Sequence, residues 1–276
     1  MIEIKDLTFG YKRKNILFDH LNIDIPMGNI YGLLGKNGSG KTTLLKQITG
    51  LLHPNQGECL IFGIPSQYKL PSVLGNIYLI PEEFELPAIK MKDFARIHAP
   101  FYPKFDLQLL DKYLADFEVN GNPKLTTLSY GQKKKFLIAF GLATRTRILL
   151  LDEPTNGLDI PSKSQFRKII ASSMDEERSI LISTHQVRDL ASLIDNILIL
   201  EDGKIIFNMS IVDISSKIAF TQTKDLSNLD VLYAEDILGG KAVIYRKKDE
   251  ETEIDIELLF NGVVTDADKI NYEFKN

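Results

Sequence analysis

At 276 residues, with 44% hydrophobic and 25% charged residues, the chain has ordinary globular composition and the length to bury a substantial core, which excludes disorder. A formal net charge of -4 and a pI near 5.7 leave no basic excess to hold nucleic acid by counterion release, so no nucleic-acid partner is expected. The lone Cys59 excludes an internal disulfide, and the four scattered His offer it no zinc cluster, which suits a reducing cytosol.

The opening Met1-Ile2-Glu3-Ile4-Lys5 has no charged segment followed by an apolar one. No run approaches the ~18 apolar residues that span a bilayer, so any link to a membrane is expected to come through a partner protein. From Ile2 to Ile25 polar and apolar residues alternate, which predicts antiparallel strands with one exposed face, an added β layer. The near-continuous apolar runs Ile30 to Leu34, Ile77 to Ile80, Ile148 to Leu151, Ile180 to Ser183 and Ile197 to Leu200 predict core strands of a mostly parallel sheet covered on both faces. Cys59 lies in the apolar run Cys59-Leu60-Ile61-Phe62 and reads as a small buried hydrophobe. Between about Ala88 and Thr144 the strand signal vanishes, and Leu109, Leu110, Tyr113, Leu114 and Phe117 recur at helical spacing, so a helical subdomain is expected there. The basic runs Lys12 to Lys14 and Lys133 to Lys135 read as solvated faces. From Ile211 a separate module is expected, acidic around Asp249 to Glu253. Val231 to Tyr233 and Ala242 to Tyr245 read as short strands there, and Ile256 to Val264 as a helix capped by Asp255.

The strongest chemical signal is Gly35-Lys36-Asn37-Gly38-Ser39-Gly40-Lys41-Thr42, a G-x-x-x-x-G-K-[ST] loop directly after a predicted strand. Its glycines let the backbone wrap a phosphate with N–H groups inward, and the helix starting near Lys41 adds its positive dipole end. Lys41 is expected to reach the β- and γ-phosphates of ATP and the Thr42 hydroxyl to ligate Mg2+; Asn37, Ser39 and Thr43 complete the nucleotide-binding set. At the C-terminal end of the run Ile148 to Leu151 stand Asp152 and Glu153, where α/β sheets bind ligands. Asp152 is placed to hold Mg2+ or its water shell, and Glu153 to deprotonate the attacking water.

Twenty residues before Asp152, Leu128-Ser129-Tyr130-Gly131-Gln132 precede a predicted helix. This stretch resembles the signature motif of ATP-binding cassette (ABC) proteins, and the resemblance covers about residues 1 to 210. It implies that Ser129, Gly131 and Gln132 serve the nucleotide held by an opposite subunit, so that the chain works as a homodimer or heterodimer. Tyr11 resembles the aromatic that stacks on adenine, Asn156-Gly157-Leu158-Asp159 the D-loop that crosses to the other subunit, and Ser183-Thr184-His185 the switch histidine at the γ-phosphate. Two positions depart from the family. Tyr130 stands where Gly is usual, putting a ring where backbone should approach phosphate. Pro81-Glu82-Glu83 stands where the metal-sensing Gln is usual, and Glu82 can offer an oxygen to Mg2+ but cannot donate as an amide would.

The resemblance therefore implies a fold of the α/β class. It has a P-loop NTPase core with a mostly parallel sheet, an N-terminal antiparallel β layer and a helical subdomain (about 88–144) within an ATPase domain of 1–210, plus a small C-terminal α+β extension of 211–276. It implies the ATP-hydrolysing subunit of an ABC transporter, bound to an integral membrane permease at the cytoplasmic face of the inner membrane, with the groove near Glu82 to Asp93 receiving permease helices. Phe101-Tyr102-Pro103-Lys104-Phe105-Asp106 resembles small bacterial exporter ATPases. Two alternatives stay open. A soluble ABC ATPase of the ribosome or DNA would carry two cassettes or long inserted coiled coils, and a P-loop phosphotransferase would carry an Arg-rich lid. The module from Ile211 regulates the ATPase, helps it dimerise, or simply caps it; no motif names a ligand for it.

Overall fold

The computed structural model describes residues 1–12, 15–248 and 250–275, so part of the basic run at 12–14 and the acidic Asp249 lie outside the described residues. The chain opens with strands β1 (Ile2–Phe9) and β2 (Phe18–Ile25), paired antiparallel with Ile2 opposite Ile25 and Ile4 opposite Ile23. Alternate residues Ile2, Ile4, Phe18, Ile23 and Ile25 are buried, as period-two patterning dictates. Strand β3 (Ile30–Leu34) is buried at every position and runs through a loop into helix α1 (Lys41–Ile48). Strands β4 (Gln56–Ile61) and β5 (Ile64–Pro65) extend the first sheet to the order β2-β1-β4-β5. Ile4 faces Cys59 across the β1–β4 pair. Strand β4 gives little signal in the sequence because its first half, Gln56 to Glu58, is exposed and shows no buried face.

After the short helix α2 (Pro71–Leu74) comes β6 (Ile77–Ile80). Helices α3 (Met91–His98), α4 (Leu107–Asp116) and α5 (Tyr130–Ala143) then fill the region expected to be helical. Asp106 caps α4 by accepting from the Gln108 and Leu109 amides. Strand β7 (Ile148–Asp152), helix α6 (Ile160–Ser172) and strands β8 (Ser179–Thr184), β9 (Asn196–Glu201) and β10 (Lys204–Ser210) complete a six-stranded sheet of order β10-β9-β3-β8-β7-β6. The pairings from β9 through to β6 are parallel, and β10 closes one edge antiparallel.

The β layer and α1 bury Ile4, Phe18, Leu44 and Leu45 against one face of this sheet, with Leu150 and Leu198. The other face packs on α5, α6 and the helical region through Phe136, Phe140, Phe166 and Ile182. That side corrects the reading of Lys133 to Lys135 as a solvated face: Lys134 is fully buried, and Lys135 is half-buried with its ammonium on the Phe117 carbonyl. Helix α5 is buried on nearly all sides, so its basic run cannot all reach water.

Beyond α7 (Ile211–Lys217), strands β11 (Ile218–Thr223), β12 (Val231–Ile237) and β13 (Gly240–Arg246) form an antiparallel sheet of order β11-β13-β12. Helix α8 (Ile256–Thr265), capped by Asp255, and α9 (Ala267–Tyr272) cover it. Ile244, Leu259 and Ile270 belong to the same apolar cluster as Ile197 and Phe207, so one core runs from the cassette into this segment.

Candidate functional site

Strand β3 delivers the loop Gly35 to Gly40 to the start of α1, whose first turn receives no side-chain cap. Its amides therefore face a ligand-sized space as free donors. Gly38 has φ +84°, and a Cβ there would meet nothing within 4 Å. The Ser39 hydroxyl is buried beside it without a hydrogen-bond partner. Lys41 is buried, and its ammonium folds back onto the carbonyls of Gly35 (2.7 Å) and Lys36 (3.2 Å). An orphaned hydroxyl, open room at a glycine and an ammonium all belong to this one loop and helix start, and this donor set fits a polyphosphate.

Across from the loop, β7 ends in Asp152. Its carboxylate accepts from the Thr42 hydroxyl at 2.7 Å and the Ser183 hydroxyl at 2.5 Å. The next residue, Glu153, is left-handed with φ +45°, a conformation that costs a non-glycine residue energy and persists where its surroundings hold it. Its amide donates to the Ser183 carbonyl at 3.1 Å. Its carboxylate takes the Thr184 hydroxyl at 3.2 Å and His185 Nδ1 at 2.8 Å, and lies 3.7 Å from the Lys41 ammonium. Burial lowers the pKa of Lys41, while Glu153 and Asp152 oppose that shift.

These groups line one cavity of about 690 Å³ that also takes in Tyr11, Asn37, Thr43 and Glu82. Tyr11 stands just past β1, 64% exposed, with its ring edge-on to Phe9 and its hydroxyl on Thr43 Oγ1 at 2.9 Å. Thus Tyr11, Asn37, Gly38, Gly40, Lys41, Thr42, Thr43, Glu82, Asp152, Glu153 and His185 line one cavity, whereas Gly35 and Ser39 of the loop do not line it.

Ser129, Gly131 and Gln132 do not line the cavity. They form the start of α5 away from this cavity, where the Ser129 hydroxyl accepts from the Gln132 amide at 3.2 Å and the Gln132 side chain accepts from the Ser129 amide at 3.0 Å. Tyr130 leans off that helix start. Its ring stacks on Phe84 at 5.4 Å and 13°, and its hydroxyl donates to the Glu82 carbonyl at 3.0 Å. The Glu82 carboxylate accepts from the Asn156 amide at 2.8 Å, and Asn156 in turn accepts from Gln186 at 3.2 Å.

The ABC transporter family profile matches residues 18–156, the stretch that carries the loop, the α5 start and the Asp152-Glu153 pair. The chain belongs to the ABC transporter family. The cassette is 32% identical over 207 residues to the ABC transporter ATP-binding protein YtrB of Bacillus subtilis (strain 168), covering 74% of this chain and 70% of the relative. It is 31% identical over 211 residues to the SkfA peptide export ATP-binding protein SkfE of the same organism, covering 74% and 87%. With the cobalt import ATP-binding protein CbiO of Salmonella typhimurium (strain LT2) it shares 30% over 219 residues, 75% of this chain and 79% of that one. A solved ATP-binding subunit of an ABC transporter superimposes with a TM-score of 0.69 at 24% identity, covering 78% of this chain and 92% of that one, which establishes the fold. The cassette is thus an ATP-binding and ATP-hydrolysing subunit of the ABC transporter type. Among the described residues no helix is long and apolar enough to cross a membrane.

Sequence reasoning gives no role to Ser183, Thr184, Asn156 or Lys134 as individual contacts. The first two have a local signal, since Ser183-Thr184 immediately precede His185 at the end of an apolar run; Asn156 and Lys134 act across distances of sequence that no local pattern reveals.

Proposed function

We propose that the chain is the motor subunit of an exporter, in which two cassettes, identical or different, close around two Mg-ATP and drive a separate integral membrane permease from the cytoplasmic face of the cell membrane. The observation that carries the reading is the pairing of Glu153 with His185 at 2.8 Å on the rim of a cavity that also holds Lys41, Thr42 and Asp152.

In this reading the loop amides, Asn37 and Ser39 cradle the phosphates, Lys41 turns from the loop carbonyls to the β- and γ-phosphates, and Tyr11 supports the adenine. A cation here would be held by one hydroxyl and one or two carboxylates beside phosphate oxygens, which is how Mg2+ binds. Thr42 and Asp152 would hold it, with Glu82 at the margin, and it would neutralise charge on the phosphates. Glu153 takes the proton of the attacking water, while His185 orients that carboxylate and reaches the γ-phosphate. Ser129, Gly131 and Gln132 lie outside this cavity, and the start of α5 serves the nucleotide of the partner cassette.

The permease contact is proposed at the segment 82–93, which runs from just past β6 into the first turn of α3. Elsewhere the apolar side chains of Leu70, Leu74 and Phe101 are exposed, with Gly75 of the α2 end close against the Phe101 carbonyl and Pro103. Export rests on the Phe101 to Asp106 resemblance and on the peptide-export relative, which this chain covers more fully than the cobalt-import one.

Gel filtration of Glu153→Gln with ATP and Mg2+ tests the dimer: a species of doubled mass is expected, and a monomer would count against it. A pull-down from native membranes tests the partner. Recovery of a polytopic protein near one per cassette supports the transporter reading, and recovery of ribosomes or DNA factors alone would replace it with a soluble ABC ATPase.

A further inference from the structure

Lys134 sits one turn into α5 with 0% of its surface exposed. A lysine is almost never fully buried unless its ammonium is paired, because removing that charge from water is expensive. Among the described residues no carboxylate lies within ion-pair distance of its Nζ. The contact it makes instead is a hydrogen bond of 2.7 Å to the main-chain carbonyl of Glu153, with the ring of Tyr130 5.8 Å away on the same helix face. Burial lowers its pKa, against the attraction of Glu82, Asp152 and Glu153.

The residue it holds has a left-handed, strained backbone. Glu153 has φ +45°, its amide is fixed by Ser183 on β8, and its carbonyl is fixed by Lys134. That conformation turns the Glu153 carboxylate back toward His185 and Lys41. A hydrocarbon at position 134 would fill the space without the cost of a buried charge, yet it would leave the Glu153 carbonyl with only the longer bond, 3.3 Å, from the Asn156 amide. The ammonium supplies the shorter of the two bonds to that carbonyl, and it is the one that reaches it from α5.

We propose that Lys134 is a positioning residue for ATP hydrolysis: from the helix that begins at Ser129 it grips the carbonyl of Glu153 and fixes the left-handed turn that aims the Glu153 carboxylate. This rests on the reading of Glu153 as the group that takes the proton of water. It also joins the two ends of the motor within one subunit. A shift of the α5 start when Ser129 meets the partner's nucleotide is carried along a rigid helix to Lys134, and from there to the carboxylate of this subunit's own site.

The test uses the full chain and compares steady-state ATP turnover, ATP affinity and amide hydrogen exchange in Lys134→Met, Lys134→Gln and Glu153→Gln. In Lys134→Met, kcat is expected to fall by about 10- to 100-fold, the loss typical of a reacting group displaced by about 1 Å. KM is expected to change by less than about threefold, because the interaction serves the transition state and not binding. Exchange at the amides of Glu153, Thr155 and Asn156 should accelerate while Leu149 to Leu151 on β7 stay protected. Parent-like kcat in a folded variant overturns the proposal. So does a fall in kcat accompanied by a matching rise in KM and lost protection in β7, which marks general unfolding. Should Lys134→Met fail to fold, Lys134→Gln carries the same two outcomes, since its shorter amide cannot span to the carbonyl. If Glu153→Gln hydrolyses ATP like the parent, the reading of Glu153 fails; if it is inactive while Lys134→Met turns over normally, only the role of Lys134 fails.

Discussion

The Tyr130 hydroxyl donates to the main-chain carbonyl of Glu82 at 3.0 Å, so the two positions at which this chain departs from the family's usual residues touch one another. The contact answers the steric difficulty that a ring raises at the start of α5. Tyr130 does not fold over the helix terminus; it lies flat on Phe84 and borders Gly157, whose own Cβ, were there one, would sit 2.6 Å from the ring. Gly157 has φ +79°, so a side chain there would be strained as well as crowded. The start of α5, the segment after β6 and the loop after β7 are thereby tied together in one subunit.

Removing the tie has a graded cost. Tyr130 is 47% exposed, so the hydroxyl lost in Tyr130→Phe is expected to cost about 0.5–1 kcal/mol, the low end for a net hydrogen bond. Tyr130→Gly loses the stacked ring as well and places glycine in the first turn of a helix, for roughly 2 kcal/mol in all. Urea unfolding monitored by circular dichroism measures both. Equal stability of all three proteins would mean that the ring rests on Phe84 without holding it.

Lys41 couples ligand binding to pH. Lys41→Ala is expected to weaken ATP binding by about 100-fold, the worth of a charge-assisted phosphate contact of ~3 kcal/mol. Because burial lowers the Lys41 pKa below its ordinary 10.5, the parent's affinity should fall on the alkaline side before free lysine would titrate. The stability term has the opposite sign. Between the lowered pKa and 10.5 the unfolded chain binds more protons at this group than the folded one, so its contribution to stability rises with pH across that window. Calorimetric titration of ATP at several pH values checks the binding arm, and an alkaline affinity loss that persists in Lys41→Ala would assign it to another group.

The sheet and the loop are legible in the sequence because each rests on local chemistry. Ile148 to Leu151 are all buried between two layers, and a strand with no wet face must read as continuous apolar residues. The Gly-rich loop is equally local, since Gly38 and Gly40 supply the positive φ that wraps a phosphate within a few consecutive residues. Strand β11 gives no such signal, because Ile218 to Phe220 are buried but Thr221 to Thr223 lie at a half-wet edge. Lys134 is masked by its neighbours: in Lys133-Lys134-Lys135 the charge pattern says surface, and only the burial of α5 against Glu153 shows that one ammonium points inward. The Tyr130–Glu82 contact joins residues 48 apart in sequence, where pattern alone shows only two unconnected departures.

Cys59 offers a test of the β layer. It lies opposite Ile4 with its thiol pushed by burial from an ordinary 9.0 up to about 12. The native protein at pH 8 is therefore expected to resist thiol reagents, reacting only as fast as it unfolds, and to react at once in denaturant. A pKa raised on folding stabilises the native state fully below pH 9, and that contribution is lost as pH climbs toward 12. Rapid labelling of native protein at pH 8 would show that β4 opens from β1 without global unfolding.

The segment after Ser210 shares its core with the cassette, and the joint can be measured. Phe207 on β10 is almost fully buried and meets Phe274, past α9, edge to face at 5.8 Å. Nearby, the Asn271 side chain donates to the Ile206 carbonyl at 2.8 Å, so backbone and ring contacts join the same two elements. Phe207→Ala is expected to cost about 3–5 kcal/mol, as for other large core truncations. Phe274→Ala should cost less, since that ring is only half-buried. The decisive quantity is the coupling: if the rings hold the C-terminal segment to β10, the double variant will be more stable than the sum of the singles by about 0.5–1.5 kcal/mol. Thermal and urea melts of the four proteins give that number. Additive losses would mean that the segment packs on the cassette without this pair, and two separate transitions in the parent would mean that the shared core does not make them one folding unit.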